Sequence, residues 1–136
     1  MTTAKRFEDL EVWQKAKELT NLIYRVSLSG AFSRDFGLRD QMRHAAVSIM
    51  SNIAEGFESQ TQALFIQYLG HAKGSAGELR AQLYIALEQN YITQDEFNFA
   101  LSLAETCSKQ LARFIQYLES QPNARRVRED GATYDV

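Results

Sequence analysis

The chain has 136 residues, with 17 acidic side chains against 15 lysines and arginines and a formal net charge of −2. That length suits one domain able to bury a core without disulfides or metal, and the near-neutral charge argues against a strongly basic nucleic-acid binder, a local patch aside. The lone Cys107 rules out an internal disulfide and fits a reducing compartment. No apolar run reaches membrane-spanning length, and the charged start Met1–Glu11 does not read as a signal peptide, so a soluble cytoplasmic protein is expected.

Helix one is expected from about Glu8 to Ser27. Val12, Ala16, Leu19, Ile23 and Val26 alternate spacings of four and three, with Trp13, Thr20 and Tyr24 widening the apolar face. Leu28–Ser33 reads as a break. Helix two follows from about Arg34 or Phe36 to Glu55, with Ser33 as the expected N-cap and Gly56 as the C-cap. Helix three is placed from Ser59 or Thr61 to about Gln89, carrying Phe65, Leu69, Ala72, Ala76, Leu79 and Leu83 inward. Gly70, Gly74 and Gly77, followed by Ala81, line one strip of it. A mid-helix glycine costs about 1 kcal/mol relative to alanine, so three imply a compensating gain, expected to be a helix packed closely over that strip. Thr93 and Glu96 form a capping box at the start of helix four, which runs to about Ser120 with Phe97, Leu101, Ala104, Ser108, Leu111, Ile115 and Leu118 in strict alternation.

Four helices on short connections predict an all-α, antiparallel up-down-up-down four-helix bundle over residues 1–121. Residues 122–136, of mixed charge and few apolar side chains, are expected to be a disordered tail. A second apolar row on helix four, Leu103, Cys107, Phe114 and Tyr117, exceeds what a monomeric bundle requires, and reads as an oligomer interface or as a wide core face.

No catalytic constellation, metal-ligand spacing or cofactor motif stands out. His44 and His71 lack partners at ligand spacing, and Cys107 sits in an apolar row. Two polar sets remain. Ser48, Asn52 and Glu55 on helix two, with His71, Ser75 and Glu78 on helix three, form two stripes able to face one another, either as a buried register-fixing network or as a ligand site. Arg39, Arg43, Lys73 and Arg80 form a basic set which, repeated by symmetry, would suit phosphates; alone it is an ordinary solvated face.

The segments Phe7–Ala16, Gly37–Arg43, Ser48–Gly56 and Gly74–Leu79 occur in an order that resembles the bacterial 23S ribosomal RNA intervening-sequence proteins, relatives of the accessory protein of diversity-generating retroelements. The resemblance covers roughly residues 7–120. It implies a four-helix protomer in a barrel-like homopentamer, without enzymatic activity, linked to RNA or a ribonucleoprotein. A protein-only scaffold or a reverse-transcriptase accessory subunit without direct nucleic-acid binding is the alternative. Met50 stands where such proteins usually carry proline, so helix two is expected to run unkinked.

Overall fold

Three of the four long helices start at a side-chain cap, Asp35, Thr61 and Thr93, while the first starts at Leu10 without one. The computed structural model describes residues 3–121 and 134–135. A 3-10 turn at Phe7–Asp9 leads into α1 (Glu11–Val26), followed by α2 (Gly30–Arg34), α3 (Phe36–Glu58), α4 (Gln62–Glu88) and α5 (Gln94–Glu119). Helix α1 packs on α3 and α5, and α4 packs on the same two. The four long helices therefore close an antiparallel up-down-up-down bundle. The short α2 fills the first connection, where the sequence reads only as a break. Thr3–Ala4 pairs antiparallel with Tyr134–Asp135. The rest of the expected tail, residues 122–133 and 136, lies outside the described residues.

One of the expected N-caps moves, from Ser33 to Asp35, whose Oδ1 accepts from the Leu38 amide at 3.2 Å. Its Oδ2 accepts from the Tyr91 hydroxyl at 2.9 Å, so one carboxylate closes the entry to α3 and clips the α4–α5 turn. That bond holds the Tyr91 pKa above the usual phenol range. The Ser33 hydroxyl instead donates to Gly30 O within α2. Thr61 caps α4, while the Ser59 hydroxyl donates back to Gly56 O as α3 ends. Thr93 and Glu96 make the reciprocal capping box at the start of α5.

The larger correction concerns the glycines. Gly56 does not terminate a helix, because α3 continues without a break through Glu58. Among the described residues the positive φ angles belong to Gly30 and Asn90, which turn the chain outside the long helices. A Cβ at Gly56 would lie 2.8 Å from Tyr68 Cβ and 2.9 Å from Phe65 Cδ1, so it is the close α3–α4 approach that requires glycine there. At Gly70, Gly74 and Gly77 no atom lies within 4 Å of such a Cβ. Among the described residues, no helix packs over that strip.

The core draws Ala16, Leu19 and Ile23 from α1, Ala46, Ile49 and Ile53 from α3, Leu69, Ala72 and Leu79 from α4, and Ala104 and Leu111 from α5, all fully buried. Phe65 stands edge-on to Phe57 and Phe114, with ring centroids at 6.0 and 5.2 Å. Leu103, Cys107 and Phe114 are buried in this same core, and Tyr117 packs against it. The second apolar row of α5 is therefore core width within one protomer, not surplus. Rotation about α5 puts it between α1 and α4, which both need covering.

Candidate functional site

The polar stripes meet across the α3–α4 interface only in part. The Ser75 hydroxyl donates to Ser48 Oγ at 2.9 Å, and Asn52 Nδ2 donates to Ser48 Oγ at 3.0 Å and to Ser48 O at 2.8 Å. These half-buried groups satisfy one another at one level of the bundle, a geometry that sets the register of α3 against α4. Glu55, His71 and Glu78 point to solvent instead. The 3.6-residue period places them on the same side of their helices, but a stripe about 100° wide spans both a contact and the water beside it.

The basic set is dispersed in the same way. Arg43 closes the end of α1: its Nε donates to Ser27 Oγ at 2.9 Å and its Nη2 to Ser27 O at 3.2 Å, while the guanidinium lies 4.6 Å over the Tyr24 ring. A cation on the last carbonyls of a helix meets the negative end of its dipole. Arg39 donates from Nε to Asp40 Oδ1 at 2.8 Å and from Nη1 to Ser33 O at 2.9 Å, and its guanidinium lies 4.8 Å over the Phe36 ring. Lys73 is exposed on α4. Arg80, also on α4, reaches Glu105 of α5 at 3.9 Å, and its Nε is buried without a hydrogen-bond partner. The structure thus engages Arg39 and Arg43 around the start of α3 and the end of α1, while Lys73 and Arg80 stand on α4, Arg80 turned toward α5.

Sequence reasoning missed the two rings beneath these guanidiniums. The Phe36–Arg39 pair was readable, since residues three apart share a helix face. The Tyr24–Arg43 pair was not, because it joins two helices. Both rings are substantially exposed, Phe36 at 63% and Tyr24 at 43%.

Outside these regions the surface offers little chemistry. A shallow depression of about 550 Å³ is lined by Glu8, Trp13, Gln14, Lys17, Glu18 and Asn21, with the Lys17 ammonium 5.7 Å from the Trp13 ring centroid. Among the described residues no cluster of three or more His, Cys, Asp or Glu is placed to hold a metal ion, and no helix is long and apolar enough to cross a membrane. Cys107 is fully buried, and burial pushes its thiol up to about 12, a nearby Lys15 opposing this weakly. Since the thiolate is the reactive form, Ellman's reagent at pH 8 should label the native chain far more slowly than the urea-unfolded chain. Prompt labelling without denaturant would show that α5 opens readily.

Fold and surface together define a small antiparallel four-helix bundle whose polar chemistry is spent on register and helix ends. The chain belongs to the 23S rRNA-intervening sequence protein family, whose model matches residues 8–113. It is also similar to a protein of unknown function from the S23 ribosomal protein family of Bacteroides thetaiotaomicron VPI-5482, at 24% identity and a TM-score of 0.71, over 77% of this chain and 95% of that one. That likeness concerns the fold alone. No curated protein matches the chain.

Proposed function

We propose that this protein is a non-enzymatic scaffold that assembles with copies of itself and associates with RNA or a ribonucleoprotein. The observation that carries the assembly is the outward seam of α4. Gln67, Gly70, Gly74, Gly77, Ala81, Tyr84 and Glu88 alternate spacings of three and four, and every one of them is exposed. Such a seam is what a lengthwise helix contact uses, and its three glycines let a second backbone come close. Within the protomer they cost about 3 kcal/mol of helix propensity together, and among the described residues no contact recovers it. A facing helix from another copy would. Tyr84 at 50% and Ile85 at 47% exposure supply apolar surface at one end of the seam. Family membership supports the RNA half of the reading, and a copy number of five is only what the sequence resemblance implies.

Light scattering on the purified chain should give a multiple of the protomer mass. Replacing Gly70, Gly74 and Gly77 with glutamine should return it to the protomer mass with helicity unchanged, because glutamine favours an exposed helix by roughly 0.5 kcal/mol or more over glycine. A wild-type chain that is monomeric at micromolar concentration would sink the assembly. For the RNA half, absence of binding to any RNA at low salt would be decisive against it, since phosphate contacts are strongest there.

A further inference from the structure

The corner where α1 ends and α3 begins carries groups that the bundle does not need on its surface. Phe36 and Tyr24 are aromatic and exposed, and each has a guanidinium carbon over its ring, 4.8 and 4.6 Å from the centroid. Neither arginine is free to wander. Ser33 O and Ser27 O each accept from one of them, so both planes are set before any ligand arrives. Arg39 and Arg43 are one turn apart on α3, so the two ring–guanidinium pairs sit at the same corner of the bundle. The charge of this corner also departs from that of the whole chain. Residues 24–44 hold four arginines, Arg25, Arg34, Arg39 and Arg43, against two aspartates, whereas the chain as a whole is net negative. One of those aspartates, Asp35, already caps α3 and accepts from Tyr91.

We infer that this corner is a stacking site for unpaired bases of single-stranded RNA, with Phe36 and Tyr24 as the platforms and Arg39 and Arg43 as the groups that stack beside them and meet the phosphates. The inference rests on the RNA half of the proposed function and gives it a location and a substrate class. Base-on-aromatic stacking with arginine beside it is tolerant of sequence, because every base has a π-face. A duplex keeps its bases stacked inside and presents only its backbone, so it gains nothing from the rings. A protein partner laid over the same corner would have to desolvate two guanidiniums without a polyanion to receive them.

The test is fluorescence anisotropy of the full-length chain with a short labelled oligouridine at low salt, alongside an RNA duplex of the same length. Phe36→Ala should weaken oligouridine binding by about 5- to 150-fold and leave duplex affinity where it was. Tyr24→Ala should do likewise, while Tyr24→Phe, which keeps the ring, should bind as the wild type does. Because both rings are exposed, the variants should retain native helicity, checked by circular dichroism. If the wild type binds both RNAs and Phe36→Ala changes neither affinity, or lowers both equally, the stacking site is overturned and the RNA reading stands. If the wild type binds neither RNA, the RNA reading itself fails and the site with it. If the variants keep oligouridine affinity but lose assembly mass in light scattering, the corner is a contact between copies and the stacking site is overturned.

Discussion

Phe65→Ala should destabilise the protomer by about 3–5 kcal/mol, the largest single effect expected for a truncation in this bundle. Phe65 is fully buried on α4 and holds the base of the core together from both sides. Its ring meets Phe57 of α3 and Phe114 of α5 edge-on, so truncation loses two aromatic contacts and opens a cavity between three helices. The same site has little freedom to collapse. Phe57 is itself buried at 1% exposure, and Gln62, one turn earlier, ties α4 to Leu118 O and to Gln121 O near the end of α5. Urea unfolding followed by circular dichroism, at several protein concentrations to separate assembly from folding, would measure it. A loss below about 1.5 kcal/mol would mean that the helices close over the gap.

Gly56→Ala should also destabilise the protein, by about 1–3 kcal/mol, against the ordinary rule that alanine is the better helix former. The added methyl would sit 2.8 Å from Tyr68 Cβ and 2.9 Å from Phe65 Cδ1, distances at which something must move. Tyr68 Cβ is fixed to the backbone of α4, so the helices themselves have to separate. The contrast with Gly74 is sharp: there a methyl meets nothing within 4 Å, and alanine should not lower the stability of the isolated protomer. A double-mutant cycle gives the cause. In a Phe65→Leu background the ring edge that opposes the methyl is gone, so the cost of Gly56→Ala should shrink, by coupling of the size seen for residues in direct contact. A Gly56→Ala protein as stable as the wild type would show that α3 and α4 are not held at this spacing.

The two kinds of glycine mark how far the sequence carried. Periodicity reads Gly56 as a C-cap and the α4 glycines as the strip under a close helix, whereas it is Gly56 that a neighbouring helix crowds and the α4 glycines that stand bare. Spacing alone placed four long helices, their apolar faces and the Thr93–Glu96 capping box, because those follow from 3.6 residues per turn and from local hydrogen bonding. It also grouped Ser48, Asn52 and Ser75 on two stripes able to face one another, and the structure joins those three. It could not say that Glu55, His71 and Glu78 on the same stripes face water.

Tertiary packing decided the rest. It put Leu103, Cys107 and Phe114 inside one protomer, because α5 is wedged between α1 and α4 and needs apolar residues on both sides. It gave Asp35 the cap expected of Ser33, because Tyr91 of a distant turn fixes that carboxylate. It turned Arg43 from a free surface charge into the lid of α1, through contacts to residues sixteen and nineteen positions earlier. Local periodicity records which residues share a helix face; only the approach of a second helix determines what that face meets, and whether a glycine there is crowded or bare.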